Sequence, residues 1–154
     1  MTDARFEDGG EAAISLKAET PEDLAVISAL VQDAVLAVTD IRHDPRARQL
    51  ALLINRFRWE DPRAGQNPER ARALLVIGGV AAVRHQGIDR GQPDTVLSLL
   101  AADWQPDQDG AGRIVLTLAG DGALAADVEC LDVTLRDVTR PYRAPSGQVP
   151  RHPD

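Results

Sequence analysis

His43 lies in the stretch Asp40-Ile41-Arg42-His43-Asp44, where one imidazole falls close to two carboxylates. Such neighbours can orient a ring and tune it as a general base. Asp and His are also common turn residues, and the Asp44-Pro45 pair that follows reads as a turn, which is the stronger reading here. A second group, Arg84, His85, Asp89 and Arg90, falls where an apolar run gives way to polar sequence. If it lay beside Arg56 and Arg58, the five residues Arg56, Arg58, Arg84, His85 and Arg90 would form one basic patch for an anionic ligand or an acidic partner. The competing reading is ordinary ion pairing with the acidic flanks.

Other reactive side chains offer less. The three histidines, at 43, 85 and 152, show neither i, i+4 spacing nor a Cys/His cluster, so no metal site is expected. Cys130 falls in the strongest apolar run, where a free thiol is expected to be a small core residue. No serine has a nucleophile-elbow context, and no catalytic residue is assigned. Asp103, Asp107 and Asp109 lack the ligand spacing and terminal Glu of a calcium loop and read as solvated loop. Gly78-Gly79, Gly110-Ala111-Gly112 and Gly120-Asp121-Gly122 do not lead into helices, so the anion-binding logic of phosphate loops is absent and no cofactor is implied.

The chain has 154 residues, enough for one self-sufficient core. Its single cysteine excludes an internal disulfide, and the acidic N-terminus shows neither a signal peptide nor a membrane span. A soluble cytoplasmic protein is expected. The basic residues are sixteen arginines and one lysine. Residues 1–39 carry two basic and eight acidic groups, residues 40–90 ten and six, and residues 91–154 five and ten. A moderately basic middle inside a chain of net charge −7 is a weak footprint for nucleic acid.

Thr20-Pro21-Glu22-Asp23 is a helix start: a capping hydroxyl, a proline at the first helical position and two acids at the positive end of the dipole. The stripe Leu24, Ile27, Val31, Val35 carries that helix to about Val35. Strand periodicity follows. Leu36 to Arg42 and Gln49 to Trp59 form a hairpin, and Arg72 to His85 is a strand interrupted at Gly78-Gly79 by either a tight turn or a bulge. Thr95 to Trp104, Arg113 to Ala119 and Ala123 to Val138 follow. In the last of these the apolar parity switches at Cys130, as an extra residue in the strand would cause.

The expected fold is α+β: one N-terminal helix on a curved, mainly antiparallel sheet of about six strands, a partial barrel. Two similar three-stranded meanders, residues 35–88 and 95–138, would follow either from duplication or from convergence of curved sheets on bulges. The single domain spans residues 14–138, between a disordered tail at 1–13 and a Pro-rich disordered tail at 139–154. Alternation along Gln49 to Glu60 separates Phe57 and Trp59 from Arg56 and Arg58. A base-stacking platform needs rings and cations on one surface. The expectation is that the rings pack in or near the core while the arginines face solvent or pair with acids on a neighbouring strand.

The segments LKAETPEDLAVISALVQDAV at 16–35, INRFRWED at 54–61, VAAVRHQGIDR at 80–90 and DVECLDVTLRDV at 127–138 give a pattern that resembles an uncharacterised, mainly alphaproteobacterial family, domain of unknown function 2948. The resemblance implies a small cytosolic bacterial protein and brings no functional residue with it. Three function classes follow in order. The first is a non-catalytic module that binds a protein partner or itself through sheet surface or a strand edge. The second is a site for a small anionic ligand, with or without turnover, in the sheet concavity. The third is nucleic-acid binding.

Overall fold

The Thr20 hydroxyl accepts a hydrogen bond from the Asp23 N–H at 3.2 Å, and Pro21 opens the helix α1, Pro21–Leu30. The structure is a computed structural model that describes residues 13–143 and 149–150. The helix stops earlier than its apolar stripe suggests. Val31 caps it by donating to the Ile27 carbonyl, Asp33 turns through a left-handed backbone at φ 65°, and Val35 already belongs to a strand. Pairing of that strand takes the place of another helical turn.

Among the described residues eleven strands follow the chain: β1 (Ser15–Ala18), β2 (Ala34–Ala37), β3 (Ile41–Asp44), β4 (Gln49–Phe57), β5 (Glu69–Ile77), β6 (Val80–Gln86), β7 (Val96–Pro106), β8 (Gly112–Leu118), β9 (Ala123–Val128), β10 (Val133–Asp137) and β11 (Tyr142–Arg143). All their pairings are antiparallel, in the order β1-β10-β5-β4-β2-β7-β8-β9-β6, with β3 also on β4 and β11 on β5. The result is one helix on a mostly antiparallel sheet that does not close into a barrel.

The expected count of about six strands is corrected to eleven for a physical reason. Three of the expected long strands are broken: by a single 3-10 turn at Val38–Asp40, by Gly78-Gly79, and by residues 129–132. Short strands β1 and β11 complete the sheet. Tyr142–Arg143 pairs with Arg70 and Glu69, so the stretch read as a C-terminal tail contributes a strand. The expected N-terminal tail falls almost wholly on residues 1–12, and most of the rest of the C-terminal one on 144–148 and 151–154, outside the described residues.

Gly78-Gly79 is not a hairpin turn. β5 pairs with β4 and β10, whereas β6 pairs with β9, so the chain runs through the glycines from one part of the sheet into another. Gly79 has φ +65°, which a residue with a Cβ adopts only at a cost. Opposite this break, Ile77 pairs with Val133 and Val80 with Val128, leaving two residues on one side and four on the other. Those four positions, two more than the facing strand has, contain Cys130, which is exposed, not in the core. Leu131 takes the buried position there.

The core lies on one sheet face. Leu50, Leu52 and Ile54 of β4, Leu75 and Ile77 of β5, Ile114, Leu116 and Leu118 of β8, and Leu124, Ala126 and Val128 of β9 alternate into it. Leu24 and Ile27 of α1 pack on the same cluster. Among the described residues no helix is long and apolar enough to cross a membrane.

Candidate binding groove

Arg56 continues the buried face of β4 set by Leu50, Leu52 and Ile54, and both Arg56 and Arg58 are 0% exposed. Of the two expected placements, facing solvent is corrected, since the apolar run on their own face dictates which side is inner. Pairing with acids on other strands is what the structure has, Arg58 with Glu69 of the neighbouring β5 and Arg56 with Asp137 of β10. Arg56 pairs in register with Ala71, and Asp137 with Ala73, two fully buried alanines on the intervening β5. Their small side chains leave space for the guanidinium to reach across the strand. Its Nε donates to Asp137 Oδ1 at 2.9 Å and its Nη2 to Oδ2 at 2.8 Å, while Nη1 and Nη2 donate to the two Glu60 oxygens at 2.8 Å each.

Burial works against the charge on Arg56, yet its bonds to Glu60 and Asp137 outweigh this and raise its pKa above the ordinary value. Arg58 pairs with Glu69 at 2.9 Å and Asp61 at 3.5 Å. Phe57 is buried and meets Trp59 edge to face at 4.6 Å, while Trp59 Nε1 donates to the Gln32 carbonyl at 2.9 Å. The INRFRWE stretch is thus a buried structural joint in which both arginines are engaged by acids, and it presents no cationic surface.

Arg84 and His85 are adjacent in sequence but face opposite sides of the sheet. His85 pairs with Leu124, a core residue, whereas Arg84 pairs with Ala125. On its own side Arg84 Nε donates to Asp127 at 3.1 Å, and Arg113 Nε donates to the other Asp127 oxygen at 2.7 Å. Hydrogen bonding to Arg113, reinforced by Arg84, pulls the Asp127 carboxyl below its ordinary value. A shallow depression of about 530 Å³ lies beside Asp127 and Arg113, but these two charges already satisfy each other.

The five residues singled out in sequence therefore do not converge. His85 and Arg90, together with His43, line one groove of about 410 Å³. Its apolar lining includes Val38, Ile41, Leu50, Val83, Ile88 and Leu124. Two registers position the imidazoles: His43 stands opposite Leu50 in the β3–β4 ladder, and His85 opposite Leu124 in the β6–β9 ladder. Both rings thereby fall on the core side at its open end.

The loop carrying Arg90 is shaped by its own turns. Gly87 has φ +68°, and a Cβ there would meet Gly122 Cα at 3.0 Å. The Asp89 carboxylate accepts from the Gly91 N–H at 2.8 Å, which ties that acid to the loop. The acids flanking His43 are likewise engaged with backbone. Asp40 accepts from the Ala37 N–H at 2.9 Å, and Asp44 from the N–H groups of Arg46 and Ala47 at 3.1 and 3.2 Å. They build turns, which weakens the general-base reading of His43.

Among the described residues no group of three or more His, Cys, Asp or Glu gathers in a way that could hold a metal ion. The family model described as Protein of unknown function (DUF2948) matches residues 14–152. No curated protein and no solved structure matches the chain.

Proposed function

From the premise that this chain belongs to the family described as Protein of unknown function (DUF2948), we propose that it is a non-catalytic binding module for an organic anion with an apolar body. The observation that supports this reading is that His43, His85 and Arg90 line one groove together with apolar side chains. Arginine is a permanent cation with a planar donor fork suited to a carboxylate, and imidazoles add donors beside it. The apolar lining would take the rest of the ligand. Known ligand sites hold about 300–1,000 Å³, and the groove's 410 Å³ suits a short-chain acid or part of a longer ligand.

The carboxylates nearest His43 in sequence are committed to backbone turns, so the groove holds no obvious acid–base pair and binding without turnover is the simpler reading. Nucleic acid is less well supported, because Arg56 and Arg58 are enclosed with their acids instead of lining a strip that could follow a phosphate backbone.

Titration calorimetry with 3-methylbutanoate and its uncharged amide tests the proposal. The carboxylate is expected to bind saturably at one site, the amide to bind more weakly, and Arg90→Ala to weaken the carboxylate. Equal behaviour of acid and amide, or no binding of either, would contradict it.

A further inference from the structure

The strand order contains a symmetry that bears on what the groove receives. The path β10-β5-β4-β2-β7-β8-β9-β6 reads the same from either end when β4 is exchanged with β8, β5 with β9, β6 with β10 and β2 with β7. At one end β10 pairs with β5 and, on its other edge, with β1. At the opposite end β6 pairs with β9, and among the described residues no strand pairs with its other edge. The edge that β1 fills on β10 has an open counterpart on β6.

The same comparison extends to the helix. After β1 the chain enters α1, which packs against β7. The counterpart of β7 is β2, whose continuation β3 carries His43 at the groove. The groove therefore opens beside the β6 edge, where among the described residues no strand takes the place that β1 takes on β10. The first position of the open edge is occupied, since the Val80 N–H donates to the Arg48 carbonyl at 2.9 Å. Beyond it the strand continues to Gln86, with Arg84, His85 and Gln86 exposed.

We propose that the free edge of β6 accepts an extended acidic peptide as an added antiparallel strand, with alternate side chains entering the groove beside His43, His85 and Arg90. The inference rests on the groove reading above and names its ligand class. Strand addition supplies main-chain hydrogen bonds for affinity, while the groove selects every second side chain. Charge favours an acidic segment: Arg90 and two imidazoles line the groove, while the acids Asp40, Asp44 and Asp89 beside them in sequence accept from backbone N–H groups. The molecule's own β1 shows that the equivalent edge takes an antiparallel strand of four residues.

The probe is an end-blocked, dye-labelled heptapeptide alternating glutamate and valine, followed by fluorescence anisotropy on the full chain. Two further versions carry N-methyl groups on one or the other alternate set of amides. The parent is expected to bind saturably, and Arg90→Glu, a substitution at an exposed loop position, to weaken it. One methylated version should lose about tenfold or more while the other, methylated on the edge facing water, stays close to the parent. If both methylated peptides bind like the parent, no strand is added and the inference is overturned. Binding of 3-methylbutanoate without binding of the peptide also overturns it but leaves the groove reading standing, whereas absence of both overturns the two together.

Discussion

Arg56 on β4 and Asp137 on β10 meet through two hydrogen bonds of 2.9 and 2.8 Å across the strand that separates them. Asp137 also accepts from the Ile14 N–H at 3.0 Å, so one carboxylate ties the start of the domain, its fourth strand and its tenth together. Removing one partner of such a buried pair strands the other charge. Arg56→Met should therefore lower unfolding stability by about 3–5 kcal/mol, measured by urea denaturation. The double variant Arg56→Met, Asp137→Leu should recover much of the loss, because neither buried charge remains. A single variant as stable as the parent would mean that the pair is hydrated and unimportant.

Asp127 carries a pH prediction. Its folded pKa lies below the ordinary 3.8, through hydrogen bonds from Arg113 and Arg84. A lowered carboxyl pKa means that the unfolded chain takes up the proton first as pH falls. The stabilising contribution is thus complete above about pH 4 and disappears as pH drops through the lower folded value. Asp127→Asn should flatten that part of the stability curve and leave its shape near neutrality unchanged. Parallel acid limbs for the two proteins would remove the basis for this assignment.

Gly79, at φ +65°, links β5 to β6, and nothing lies closer than 3.9 Å to a Cβ built there. The cost of Gly79→Ala is therefore backbone strain without a clash, about 1–2 kcal/mol. Gly65, which has open space around it and no positive φ, serves as the control. Thermal unfolding should show a lowered midpoint for Gly79→Ala and little change for Gly65→Ala. Equal midpoints would show that the link relaxes freely.

The legible features were local ones. Thr20-Pro21 marks the helix start because a cap acts within three residues, and the parity switch at Cys130 marks an irregularity because alternation is itself local. The pattern there suggests one extra residue in a continuous strand, where the structure ends β9 and sets four residues opposite two. The helix end is not legible because Val35 fits both a helical stripe and a strand, and pairing with Ser98 and Asn55 decides between them. The inward position of Arg56 was hidden for a similar reason. Its partner Asp137 is 81 residues away, and a charged residue following Leu50, Leu52 and Ile54 looks like the solvent face until that acid is known. His43 and His85 share a groove only through two separate ladder registers, which no spacing in the chain reveals.

If His43, His85 and Arg90 act together on an anion, histidine-selective NMR during titration with 3-methylbutanoate will show the His43 and His85 ring signals moving together along one saturable curve, with Arg90→Ala weakening both equally. Independent movement of the two rings, or none at either while the protein is folded, would contradict that joint action.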